Sequence, residues 1–162
     1  MKVLLVHNFY QQFGGEDAVF HAERKLLAAH NDEVYSYTRE NNEIKQYTFG
    51  QKARFGFQSI FSRQTRREIT DVVNTFVPDF AYVHNVFPLI SPSLYHTLHA
   101  LGVPVVQVIH NFRFLCPNGW FYTRGEICER CKGGNYLNAI RYRCYRGSYL
   151  LSALYSTSLG IN

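Results

Sequence analysis

The sequence predicts an α/β fold with a Rossmann-like, doubly wound, mainly parallel sheet, and two observations carry that prediction. Short runs of branched apolar residues alternate with stretches of helical spacing through residues 1–111. Strand, helix, strand, helix repeated in that way argues for parallel strands joined by right-handed crossovers. The second observation is that three predicted strand ends carry histidine followed by asparagine, at His7-Asn8, His84-Asn85 and His110-Asn111. Open α/β sheets bind ligands outside the carboxyl ends of their strands, so three such pairs at equivalent positions are best explained by one polar cleft.

A chain of 162 residues is one domain by its length and can bury an ordinary core. The expected organisation is a sheet core over residues 1–111, a cysteine-containing loop over 112–135 and a helical segment over 136–162. No apolar run reaches the ~20 residues of a membrane span. Residues 1–6 are too short for the apolar core of a secretory signal and read instead as the first strand. A cytoplasmic location follows as an expectation, and with it four cysteines that are reduced or metal-bound rather than paired as disulfides. The net charge of +5 suits phosphate, nucleic acid or an anionic lipid surface, and it also suits plain solubility.

Taken in order, residues 2–6 form the first strand. The glycine pair Gly14-Gly15 opens a helix over residues 16–29, where Val19, Ala22, Leu26 and Ala29 recur at helical spacing. Glu16 and Asp17 in its first turn complement the helix dipole. Strand, glycine turn and helix start together make an anion cradle, because unpaired N–H groups point outward there and glycine permits close approach. The spacing is not the Gly-x-Gly-x-x-Gly of dinucleotide binders, and a turn needing positive φ would explain the pair equally well. Residues 33–37 alternate as a second strand, and residues 39–50 are polar and read as loop. Residues 51–61 read as a helix or turn packed by its aromatics. A helix starting near Ser62 carries Ile69, Val72, Val73 and Phe76 on one face and Arg63, Arg66 and Arg67 on a solvated one, and Pro78 closes it. Residues 80–83 form the third strand. Ser91 caps a helix that Pro92 starts and that ends at Gly102. Residues 105–109 are nearly all β-branched, as in a strand buried on both faces, and lead to His110. The last segment is helical with a break near Gly147.

Several ordered stretches resemble the N-terminal, acceptor-side domain of the family-4, retaining, GT-B glycosyltransferases. They are residues 1–10, Gly14-Gly15-Glu16-Asp17, His84-Asn85 with residues 88–92, and residues 104–111. The Cys116-Pro117-Asn118-Gly119 and Cys128-Glu129-Arg130-Cys131 segment looks like the version found in one bacterial branch of that family. The resemblance implies transfer of a sugar from a nucleotide-sugar donor to a glycan or lipid-linked acceptor with retained configuration, and no organic cofactor. It puts Gly14 and Gly15 near the donor diphosphate. It puts His110 in the catalytic position beside the transferred sugar, where hydrogen bonding orients the anomeric carbon. His84, Asn85 and Asn111 are acceptor-cleft candidates. Such enzymes hold the donor largely on a C-terminal domain with a Glu-x7-Glu motif. None follows Ser158, so the chain is expected to be a fragment, inactive without that half.

Cys128-x-x-Cys131 is flanked by Cys116 and Cys144, each about a dozen residues away. Four thiolates could bind a structural zinc tetrahedrally and staple a loop too polar to pack by itself; reduced cysteines packed as small apolar groups are the alternative. A redox site is disfavoured because this Cys-x-x-Cys does not follow a strand and open a helix. A competing function is a zinc-stapled basic module using Arg124, Arg130, Lys132, Arg141, Arg143 and Arg146 with Tyr136, Tyr142 and Tyr145. Such a surface suits single-stranded nucleic acid, which the resemblance disfavours, or peripheral contact with anionic membrane. A nicotinamide enzyme is disfavoured by the missing glycine fingerprint and by Tyr37-Thr38-Arg39 where an acidic residue would end the second strand.

Overall fold

The computed structural model describes residues 1–161, with the side chains of residues 52, 53 and 161 left aside. The chain divides into two compact units, Met1–Val108 and the part from Ile109 onward. The sequence suggested one domain with its sheet core running to residue 111; the observed boundary falls three residues earlier. Asn162 lies outside the described residues.

The first unit is the α/β layer structure. Its elements are β1 (Lys2–Phe9), α1 (Gly15–Ala29), β2 (Glu33–Glu40), α2 (Phe49–Ile60), α3 (Arg63–Phe76), β3 (Phe80–Asn85), α4 (Ser93–Ala100) and β4 (Val105–Gln107). The four strands are parallel in the order β2-β1-β3-β4. The order reverses between β1 and β3, so their carboxyl ends flank the topological switch point, where open α/β sheets leave a crevice. Strand alternation assigns the two faces. Leu4 and Val6 of β1 and Ala81 and Val83 of β3 pack with Ile69, Val72 and Val73 of α3 and with Leu94 and Leu98 of α4. The opposite face of the same strands presents His7, Tyr82 and His84 to α1.

The stripe that marks α1 as a helix is not the face it buries. Val19, Ala22, Leu26 and Ala29 are exposed, whereas Asp17 and Phe20 are buried and Glu23 and Leu27 half-buried. The inward line is half carboxylate because it meets polar strand ends rather than aliphatic ones. The apolar face of α3 is the expected one, and its three arginines are exposed. Ser62 caps α3 by accepting from the Thr65 N–H at 3.1 Å.

Two segments differ from expectation. Residues 39–50 are not loop: β2 runs on to Glu40, Asn41–Gln46 form a 3-10 turn, and α2 begins at Phe49. The signal was present as Thr48-Phe49-Gly50-Gln51, a capping box in which Thr48 and Gln51 bond each other's backbone N–H. Aromatic packing of α2 is partial, with Phe55 against Tyr47 but Phe57 exposed. The strand predicted over 105–109 is only Val105–Gln107, and it is not buried on both faces. Val105 and Val106 are 36% and 46% exposed, because β3 is the strand's only sheet neighbour among the described residues. Branched residues favour strands at an edge as well as at a centre, so composition could not separate the two.

The second unit opens with turns around Cys116. A short hairpin follows, β5 (Tyr122–Thr123) and β6 (Glu126–Ile127), then α5 (Leu137–Arg141) and α6 (Tyr149–Ile161). The hairpin turns at Arg124 and Gly125, both with positive φ, which matches the twist of the strands. The predicted helix break lies at Gly147, which has φ +67°. Among the described residues no helix is long and apolar enough to cross a membrane.

Candidate functional site

The carboxyl ends of β1 and β3 and the glycine turn before α1 meet at the switch point. The register slips there: Val6 pairs with Val83 but His7 pairs with Asn85, so His84 is the extra residue of a bulge. Strand alternation turns His84, like His7, toward α1, with the ring centroids 5.8 Å apart, while the slip brings Asn85 into register with His7.

Each imidazole is met by a carboxylate from the inward line of α1. His7 Nε2 lies 2.7 Å from Asp17 Oδ1, and His84 Nε2 lies 3.1 Å from Glu23 Oε2. Phe20, one helical turn after Asp17, stacks on His7 at 5.0 Å and meets His84 edge-on at 5.5 Å. Tyr82 donates to Glu23 Oε1 at 3.2 Å. Burial, with the Glu23 carboxylate beside it, pushes the Tyr82 phenol above its ordinary pKa. Asp17 also accepts the Gly14 N–H at 2.8 Å, so one carboxylate ties the glycine turn to the end of β1. Asp17 is therefore more than a first-turn acid complementing the dipole; Glu16 is engaged by the Tyr10 hydroxyl at 2.8 Å.

The asparagines perform a separate task. Asn8 donates to Asn41 Oδ1 at 2.9 Å and accepts the Leu89 N–H at 3.3 Å. Asn85 donates to the Asn8 carbonyl at 2.9 Å and accepts the Phe87 N–H at 3.1 Å. These bonds fix the segment after β3, which contains a cis Phe87-Pro88 bond and Ser91 at φ +68°. Ser91 does meet the start of α4, its Oγ accepting the Ser93 N–H at 3.3 Å. Gln107 completes the stitching by donating to the His84 and Val108 carbonyls while accepting from the Tyr95 hydroxyl.

Gly14 and Gly15 stand in a different light from the turn reading. Neither has a positive φ. A Cβ at Gly15 would meet nothing within 4 Å, and one at Gly14 would meet only Asp17 Oδ2 at 3.9 Å. Neither backbone conformation nor packing within the chain demands glycine at these two positions. They lie at the amino end of a 15-residue helix, where N–H groups and the positive end of the dipole favour an anion.

The structure thus brings together His7, Asn8, Gly14, Gly15, His84 and Asn85 in the first unit. His84 and Asn85, read as acceptor-cleft residues, are buried, with the Asn85 carboxamide used on both sides. Their visible work is to hold α1 and the loop after β3. His110 and Asn111 belong to the second unit and are half-buried; Asn111 Oδ1 accepts the Arg113 N–H at 2.9 Å. His110 lies three residues beyond the last residue of β4. Asp17 and Glu23 were missed as partners of the histidines. Their spacing with Phe20 and Leu27 was the available signal, a second helical stripe of mixed polarity.

The four cysteines are free thiols in the second unit, Cys116 and Cys131 buried and the others half-buried. Burial, with the other thiols adding to it, pushes Cys131 and Cys144 above the ordinary thiol pKa. Among the described residues no three His, Cys, Asp or Glu side chains stand ready-formed as a metal-holding group. Two tyrosines of the basic-module reading have rings engaged within the chain: Arg130 lies 4.6 Å from the Tyr142 ring centroid, and Tyr145 has Arg146 at 5.7 Å and stacks on Tyr155 at 5.0 Å. Ring faces covered in that way are not open to a base. Comparison with protein-family models, curated proteins and solved structures finds no match.

Proposed function

We propose that the chain is the acceptor-side domain of a retaining, GT-B glycosyltransferase, working in the cytoplasm on a nucleotide-sugar donor and a glycan or lipid-linked acceptor. The observation that carries the reading is the pair Gly14-Gly15. It sits at the switch point, at the head of α1, with a backbone and surroundings that would accept a side chain. A group outside the chain that must approach the backbone closely is the remaining reason for two glycines there. A diphosphate suits the place, since its charge would face the helix dipole and N–H groups.

In the transfer, the bond from the anomeric carbon to the diphosphate breaks, a bond to the acceptor oxygen forms on the same face, and the acceptor's hydroxyl proton passes to the departing diphosphate oxygen. Negative charge grows on the departing diphosphate, and the amino end of α1 is a fixed dipole suited to stabilise it. Asp17 positions that end by binding the Gly14 N–H and His7 together. His110 keeps the role the resemblance gives it, orienting the transferred sugar. A second domain with paired glutamates would supply the rest of the donor contacts.

The test is an amide-resolved NMR titration of the chain with a nucleoside-diphosphate sugar. Binding weaker than micromolar is predicted, with shifts concentrated on the amides of Gly14, Gly15 and Glu16. Gly15→Val should abolish those shifts without lowering the melting temperature. Shifts confined to other regions, or a Gly15→Val variant that binds as well as the parent, would contradict the reading.

A further inference from the structure

We propose that Cys116, Cys128, Cys131 and Cys144 are the four ligands of a structural zinc ion that holds the second unit together. The first argument is what that unit buries. From Ile109 onward the buried apolar side chains among the described residues are those of Cys116, Pro117, Cys131, Ala139 and Tyr155. Phe112, Leu115, Trp120, Ile127 and Leu137 are exposed. So small a core leaves a unit of this size short of hydrophobic stability, and small units in that position commonly add a disulfide or a metal. The four thiols are free rather than paired.

The second argument is placement. The cysteines come from three separate segments: the turn before the hairpin, the stretch just after it, and the end of α5. All four lie in the second unit, Cys116 and Cys131 buried and Cys128 and Cys144 half-buried. Two of the cysteines begin β-turns: the Gly119 N–H bonds the Cys116 carbonyl at 2.8 Å and the Gly134 N–H bonds the Cys131 carbonyl at 3.1 Å. Each turn ends on a glycine in the left-handed region, and the second also has left-handed Gly133 at its centre.

The third argument is charge. Zinc with four thiolates carries two net negative charges, and the surroundings are basic. Arg130 Nη1 lies 3.8 Å from Cys128 Sγ. Ligation requires the thiols to turn inward by rotation about χ1 until each sulfur stands about 2.3 Å from the ion, with release of their protons. The inference is independent of the glycosyltransferase reading.

The experiment uses the full chain, purified without added metal and without a chelating tag. One zinc per chain is expected, with all four thiols slow to react with a disulfide reagent until a strong chelator is added. Replacement by Co²⁺ should give the thiolate charge-transfer band and the intense ligand-field bands of a tetrahedral sulfur site. Cys144→His, which keeps a ligand, should retain cobalt with a weakened charge-transfer band; Cys144→Ala should bind it far more weakly. Sub-stoichiometric zinc with four freely reactive thiols would overturn the proposal. So would two disulfides found by mass, or bound iron in place of zinc.

Discussion

Residues 1–108 bury Leu4, Val6, Ile69, Ile90, Leu94 and Leu98 between a sheet and two helices, whereas the described residues from Ile109 onward bury no Leu, Ile, Val or Phe side chain. Each fully buried aliphatic side chain contributes roughly 1.5–3 kcal/mol, so the first unit has a hydrophobic source of stability that is far smaller in the second. The second unit has four free thiols from three segments and arginines laid over tyrosine rings. The difference teaches that adjacent parts of one chain can be ordered by different physics. It also separates functional from structural polarity. Polar side chains in the first unit position a helix end at a switch point, and those in the second stand in for a core.

The comparison can be broken or sharpened by substitution. Ile69→Ala removes a fully buried side chain from the cluster against α3 and should cost about 2–5 kcal/mol. Denaturant unfolding should show this loss in signals from the first unit only; an equal shift in the second would mean that the two share a core. Asp17→Ala takes a bond from His7 and another from Gly14 and should cost about 1–3 kcal/mol. Nucleotide-sugar binding should fall with it, since the glycine turn loses its tie to β1. If stability fell while donor binding held, the role given to Asp17 would be wrong. The smallest effect concerns Glu43, whose carboxyl the Arg39 guanidinium holds below its ordinary pKa of 4.5. A depressed carboxylate pKa stabilises the fold above the unfolded value, and that part is lost as pH falls through the folded one. Because the pair is partly solvated, a few tenths of a kcal/mol are expected. Thermal unfolding between pH 6 and pH 3 should show a shallower decline for Glu43→Gln than for the parent.

Most of the first unit was legible from periodicity. Ile69, Val72 and Val73 show a helical face because they pack against the aliphatic side chains of β1, β3 and α4, so burial and hydropathy coincide there. They part company in α1. Its inward positions include Asp17 and Glu23, which pair with buried imidazoles, and hydropathy therefore pointed to the exposed side. The same blindness affected β4, whose branched residues record strand preference and not the number of neighbouring strands. Two of the three His-Asn pairs, His7-Asn8 and His84-Asn85, marked strand ends at the switch point, whereas His110-Asn111 lies past β4 in the second unit. Their work could not be read from the sequence, because the bulge at His84 and the carboxylates reaching it come from pairing and packing. The glycine pair was visible, but only the open space around it separates a ligand approach from a strained turn.

Hydrogen exchange on the full chain, before and after a strong chelator is added, tests the contrast between the two units most directly. Chelation is predicted to strip protection from amides beyond Ile109, including those of Cys128, Lys132 and Cys144, while the amides of β1 and β3 keep theirs. Protection in the second unit that does not change on chelation would contradict the account, and so would its loss throughout both units.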